Sequence, residues 1–138
     1  QWTMGRMLAG KDCIRGWQYL WNCVDVRDVA EAGARIIESD VAANGSRYLM
    51  SATDENGELT AGQLQTHLQT LFPEYDVGGP PAKYDEMVAK HGAPYDAPRA
   101  YCTRAREELG LETHSIMDTL KATGETMVAL GMVQPKHK

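Results

Sequence analysis

Helix-opening signals recur at three points of this chain and constrain its folding more than any other feature. Asp28 is followed three residues on by Glu31, Thr60 by Gln63, and Ser115 by Asp118. In such a pair the first side chain accepts a backbone N–H of the first helical turn and the second side chain reaches back, so a helix start is fixed locally. Behind each signal, apolar residues return at helical spacing. Val29, Ala32, Ile36 and Ile37 follow the first, Leu64, Leu68 and Leu71 the second, and Ile116, Leu120, Met127 and Leu130 the third. Asn44-Gly45 closes the first of these units and Pro73 the second. A helix end at Trp2–Leu8, stopped by Gly10, and a helix from a Thr103 cap to Leu109-Gly110 complete the helical reading.

Short runs rich in aromatic and β-branched residues lie between these helices. Trp17 to Val26 and Arg47 to Ser51 read as strands, Glu74 to Val77 as a brief edge strand, and Tyr101-Cys102 as another. Strands alternating with helices predict an α/β fold. About three or four short strands are fewer than the five or six of a typical sheet, and buried parallel strands need neighbours on both sides. Residues 1–134 are therefore expected to be part of a larger domain, with 135–138 a disordered tail. The opening at Gln1, with no Met, gives the same expectation of a chain cut from something longer.

With 138 residues, of which 43% are hydrophobic and 24% charged, the chain has enough material for one compact domain. The net charge of -5 argues against nucleic acid as the main partner, because phosphate binding needs a basic surface. Arg99, Arg104 and Arg106 are the one basic group, read as a solvated helix face. No apolar run is long enough to cross a bilayer and no signal-peptide pattern opens the chain, so no membrane role is expected. Cys13, Cys23 and Cys102 are widely spaced and odd in number, which predicts reduced thiols in a cytoplasmic protein. Asn44-Gly45-Ser46 fits a glycosylation sequon but reads as a turn.

None of the phosphate-cradling glycine spacings occurs among the 13 glycines, so a dinucleotide pyrophosphate has no seat at a helix start. No Tyr-x-x-x-Lys pair occurs; Tyr84 comes nearest, and Val88 takes the place of the lysine. His67, His91, His114 and His137 lie far apart without Cys or acidic partners at ligand spacing and read as surface histidines, not metal ligands. No nucleophile-elbow serine is present. Asp54 to Thr60 resembles the middle of a calcium loop, but Ala52 and Gln63 stand where the terminal carboxylates belong, so a polar turn is expected. Trp17, Tyr19 and Trp21 alternate onto one strand face, a core reading, while Asn22 would face the other side, where a pocket can lie. Asp25 and Arg27 read as a local ion pair or solvated turn.

One stretch is more specific. Val24-Asp25-Val26-Arg27-Asp28-Val29-Ala30 resembles the V-[HD]-V-[RD]-D-V-A element of extended short-chain dehydrogenases/reductases, in the cinnamoyl-CoA reductase and dihydroflavonol reductase branch. In the same order, Asn44 to Leu49 resembles that family's G-R-Y strand and Leu68 to Tyr75 its F-P-E-Y helix end. Thr103 to Gly110 is similar to its S-x-K-x-x-x-L-G helix, and the segment from Ser115 to its last helix. The resemblance implies the carboxy-terminal part of a Rossmann-type reductase with its small substrate lobe. NADP would be bound mainly by an amino-terminal domain that also carries the Ser, Tyr and Lys of catalysis, which leaves no catalytic or cofactor-binding residue here. It implies a carbonyl or CoA-thioester substrate, with Trp17 and Asn22, then Tyr19 and Trp21, as substrate-binding residues, and Gly78 to Pro98 as a lid. Departures are Asp25, where many relatives carry His, and the length of that loop. The alternatives are a nucleotide-sugar epimerase or dehydratase of the same fold and a non-catalytic α/β binding module.

Overall fold

A computed structural model describes residues 2–13, 21–42, 45–52, 58–80, 83, 86, 89–90 and 102–134. Among these the chain is mostly helical. Helices α1 (Trp2–Leu8), α2 (Val26–Glu38), α3 (Ala61–Leu71), α4 (Thr103–Leu109) and α5 (Ile116–Ala129) account for most of the regular structure. The strands are two residues each, β1 (Trp21–Asn22) and β2 (Glu58–Leu59), paired in a two-stranded sheet. The chain divides into two compact units. Unit 1 comprises Gln1–Trp21, Glu58–Ala97 and Leu120–Lys138, and unit 2 comprises Asn22–Gly57 and Pro98–Thr119.

The expected strands are where the sequence reading needs correction. Of Trp17 to Val26, only Trp21–Asn22 is strand; residues 23–25 lead into α2, and 17–20 lie outside the described residues. Residues 47–51 form no strand: Leu49 is exposed, and the segment's backbone has no described ladder partner. A β-rich composition makes a strand only where a neighbour completes its hydrogen bonds. Glu74 to Val77 is a turn and a connecting segment, because Pro73 ends the helix and the Tyr75 N–H folds back 3.0 Å onto the Phe72 carbonyl. Cys102 precedes α4 as its N-cap residue and is not strand; Tyr101 lies outside the described residues. The described residues thus show a mainly helical chain with very little sheet.

The helix signals fare better. At α3, Thr60 Oγ1 accepts the Gln63 N–H at 3.2 Å and Gln63 Oε1 accepts the Thr60 N–H at 2.9 Å, a complete capping box. Thr60→Ala removes that acceptor and is expected to lower stability by about 1 kcal/mol, read from the shift of a urea midpoint. Ser115 Oγ accepts the Asp118 N–H at 3.1 Å ahead of α5. Gly10 and Gly131 end α1 and α5 at φ 69° and 67°, the left-handed region where glycine carries no Cβ penalty. The residue after each glycine then bonds the carbonyl five back, Lys11 to Arg6 and Met132 to Met127.

Unit 1 packs around Met4, Met7, Leu8, Leu64, Leu68 and Phe72, all buried. Phe72 meets Tyr75 edge-on, ring centroids 6.0 Å apart, an arrangement favoured by the ring quadrupoles. Segment 77–79 is stitched to the end of α1: the Gly78 N–H donates to the Met7 carbonyl at 2.7 Å and the Cys13 N–H to the Gly79 carbonyl at 2.9 Å. Gln65 Nε2 adds a bond to the Val77 carbonyl at 3.0 Å. Unit 2 has its own small core of Ala32 from α2, Cys102, Ala105 and Leu109 from α4, and Leu111, with Ala42, Tyr48 and Met50 packed against it.

Candidate functional site

The polar groups of unit 2 converge at the start of α2. Its first turn leaves backbone N–H groups unpaired and carries the positive end of the helix dipole, so carboxylates gather there. Asp25, not Asp28, is the N-cap: its Oδ1 accepts the Arg27 N–H at 2.9 Å. The expected box with Asp28 and Glu31 is therefore shifted by one turn. The physical reason is that Asp28 is needed elsewhere, inside the unit.

Asp25 is buried and fully engaged. Arg27 grips it with Nε on Oδ1 at 2.9 Å and Nη2 on Oδ2 at 2.6 Å, the two-pronged geometry that makes guanidinium–carboxylate pairs strong. The Arg27 hydrogen bond, with further bonds from its backbone N–H and from Thr119, holds the Asp25 carboxyl well below the usual carboxylate range, against the opposing effect of burial. The same bond raises Arg27. Because the folded-state value is depressed, this stabilisation is complete above the unfolded value of about 4 and is lost as pH falls through the folded one. Acid titration of Asp25→Asn is therefore expected to lose less stability between about pH 5 and 2 than the unmodified chain, by circular dichroism. Equal acid sensitivity in both proteins would contradict this assignment.

Asp28 is 2% exposed and faces the loop before α5. Its Oδ2 accepts the His114 backbone N–H at 3.0 Å, and its Oδ1 lies 2.5 Å from His114 Nδ1. With the Nδ1 proton turned to Asp28, a neutral imidazole presents Nε2 as an acceptor. The ring is 38% exposed at its side chain. The arrangement is an oriented carboxylate–imidazole dyad, capable of accepting or passing a proton at the surface of unit 2. Beside it, Ser115 Oγ also donates to Asp118 Oδ2 at 2.9 Å, and Thr119 Oγ1 lies 2.9 Å from the Ser115 carbonyl oxygen.

The sequence predicts for His114 a surface histidine with no acidic partner at ligand spacing. Its ring is partly exposed, but the partner exists, 86 residues earlier in the chain. No local spacing could have joined them. Asp25 and Arg27 form the local ion pair expected of them. Trp21 and Asn22 form β1; Trp17 and Tyr19 lie outside the described residues, as do His91, His137, most of the loop from Gly78 to Pro98 and the turn 53–57. Arg104 is exposed, pairing with Glu108 at 2.8 Å and stacking 4.9 Å over the Tyr48 ring. Arg106 is exposed too, and Arg99 lies outside the described residues. The Tyr48 hydroxyl donates to Glu108 at 2.8 Å, and that bond raises Tyr48 while Arg104 and Tyr48 together lower Glu108.

Cys13, Cys23 and Cys102 form no disulfide, and burial pushes the Cys23 thiol up. Among the described residues no group of three or more histidine, cysteine or acidic side chains is placed to hold a metal ion, and no helix is long and apolar enough to cross a membrane. A scan against protein-family models gives no match to this chain, and a search of curated proteins gives none.

Proposed function

We propose that this chain is the carboxy-terminal, substrate-side portion of an NAD(P)H-dependent reductase of carbonyl or acyl-CoA substrates, of the kind cinnamoyl-CoA and dihydroflavonol reductases represent. The observation that supports the reading is how the resembling segments associate. Leu68 to Tyr75 and the last helix from Leu120 belong to unit 1, while Asp25 to Ala32, Gly45 to Leu49, Thr103 to Gly110 and Ser115 to Thr119 belong to unit 2. The stretches in unit 2 also touch there: Asp28 binds His114, Tyr48 binds Glu108, and Arg35 of α2 donates to the Leu109 carbonyl at 3.0 Å and to that of Gly110. Four stretches that follow a family's order and also pack together in one unit are better support than scattered short matches.

On this reading NADP binds mainly to a preceding Rossmann domain, which supplies the catalytic tyrosine and lysine, and hydride passes from the nicotinamide to the substrate carbonyl. This chain lines the substrate pocket through Trp17, Tyr19, Trp21 and Asn22. It works in the cytoplasm on a small molecule, with no nucleic acid or membrane partner. The coding sequence upstream of Gln1 tests the proposal. A glycine-rich βαβ start and a Tyr-x-x-x-Lys pair are expected there, and a reading frame without them overturns it. Calorimetric titration of the 138 residues with NADPH is expected to show no saturable binding; tight binding would place the cofactor site within this chain and sink the division of labour proposed.

A further inference from the structure

Asp28 does more in unit 2 than anchor a loop. It is not the cap of α2, since Asp25 fills that place, and a buried carboxylate is unfavourable unless its oxygens are engaged. One oxygen is enough to hold the loop: Oδ2 accepts the His114 backbone N–H at 3.0 Å. The other meets the ring of the same residue, with Oδ1 2.5 Å from Nδ1. Main chain and imidazole of His114 thus share one carboxylate, which fixes the ring's rotation as well as the loop. The ring proton lies at Nδ1, facing Asp28, and the lone pair lies at Nε2. Among the described residues nothing bonds Nε2, and the side chain is 38% exposed.

The electronics of that ring give it a chemistry. When Nε2 attacks an electrophilic carbon, positive charge spreads over the imidazole and reaches Nδ1. There it meets the Asp28 carboxylate, which is 2% exposed and so acts through a medium of low dielectric. The proton on Nδ1 need not move for the attack to occur. Exposure of the ring selects the kind of electrophile. A small molecule reaches Nε2 from solvent, and water reaches whatever adduct forms there. An activated acyl group suits both conditions, since it adds to a neutral imidazole and the adduct is open to hydrolysis.

We propose that His114 is a nucleophile toward small activated acyl compounds, esters and thioesters with good leaving groups, and that Asp28 is its positioning residue. Nε2 adds to the acyl carbon, the carbon–oxygen or carbon–sulfur bond breaks, and the leaving group departs with the electron pair as an alkoxide-type anion or thiolate. The acyl-imidazolium that remains keeps its Nδ1 proton on Asp28. Water then cleaves the new carbon–nitrogen bond, releasing the carboxylic acid and one proton and restoring the neutral ring. The sum is hydrolysis of the acyl compound by one water. The inference is independent of the reductase reading, since it needs only the contact between α2 and the loop before α5.

Diethyl pyrocarbonate, an activated acyl donor, reads this on the whole chain, with the rate at each histidine followed by mass spectrometry of the digest. His67 on α3 is the internal standard: it is half-buried like His114, and no described group bonds its ring. His114 is expected to be acylated faster than His67. In Asp28→Asn the carbonyl oxygen keeps the His114 N–H while the amide N–H turns to Nδ1, which moves the ring proton to Nε2 and removes the attacking lone pair. Acylation of His114 is then expected to fall while that of His67 stays, a pattern that unfolding, which exposes both, does not give. Both differences are expected to be at least about tenfold, well short of the roughly 10,000-fold that the same exchange costs a complete serine-protease triad. Turnover is read with p-nitrophenyl acetate, whose hydrolysis is expected to slow in His114→Gln. The comparison of His114 with His67 in the unmodified chain stands whether or not either variant folds. Equal acylation of the two histidines there, an Asp28→Asn variant in which His114 reacts as before, or a His114→Gln variant that hydrolyses the ester as fast as the unmodified chain overturns the proposal.

Discussion

Gly78→Ala is expected to destabilise the protein by about 3 kcal/mol, the upper end of the cost of forcing an added methyl into a filled site. The cause is space, not backbone angle. Gly78 is not among the glycines with positive φ, so alanine could adopt its conformation. Its Cβ, however, would collide with the main chain of Lys11, meeting the carbonyl oxygen, the carbonyl carbon and the nitrogen at once. A main chain cannot rotate away as a side chain can. Nor can the 77–79 segment retreat, since the Gly78 N–H is bonded to the Met7 carbonyl and the Gly79 carbonyl to the Cys13 N–H. Relief therefore breaks the stitching of unit 1. Urea unfolding followed by circular dichroism measures the loss. The control is Gly62→Ala in α3, where the added Cβ meets only Thr60 Oγ1, at 4.0 Å, and a gain of about 1 kcal/mol is expected from helix propensity. If both substitutions behaved alike, the close approach of segment 78 to Lys11 would be refuted.

Asp28→Ala is expected to cost about 3 kcal/mol, since two hydrogen bonds to a charged acceptor are lost and a partly buried N–H is left without its partner. The carboxylate ties the first turn of α2 to His114, in the loop before α5. Asp28→Asn is informative alongside it. One carbonyl oxygen can still accept the His114 N–H, so about half the loss is expected. The His114 side chain offers a second readout. Its Nδ1 is held by Asp28, and nuclear magnetic resonance of the imidazole nitrogens is expected to show the Nε2-acceptor tautomer in the unmodified chain and a mixture in Asp28→Ala. Loss of less than about 0.5 kcal/mol in Asp28→Ala, within ordinary surface effects, would mean that Asp28 serves only the helix start.

That contrast marks where the sequence was legible. Thr60 with Gln63 and Ser115 with Asp118 do locally what their spacing says, because a cap needs only residues within one turn of each other. Asp28 with Glu31 carries the same signature and fails as a cap. Asp25 takes that role because Arg27 and Thr119 hold it at the helix start, and Asp28 is drawn inward by His114. Two aspartates three residues apart can each open a helix, and only the packing of a distant loop decides between them.

Strands were less legible for a related reason. Arg47 to Ser51 has the composition of a strand, yet a strand's hydrogen bonds lie outside itself, on a neighbour that local sequence cannot supply. The described chain gives it none. Of the expected pocket residues, Trp21 and Asn22 do stand in a short strand, while Trp17 and Tyr19 lie outside the described residues.

The sequence by itself determined the helices, their starts at Thr60 and Ser115, and their glycine stops at Gly10 and Gly110, because each depends on atoms a few residues apart. Tertiary structure decided the rest. It selected Asp25 over Asp28 as the cap, joined Asp28 to His114 across 86 residues, pressed Gly78 against Lys11, and left Val26 and Ile37 of α2 exposed. Each of these turns on which distant surface meets which, and that is settled by packing the whole chain at once.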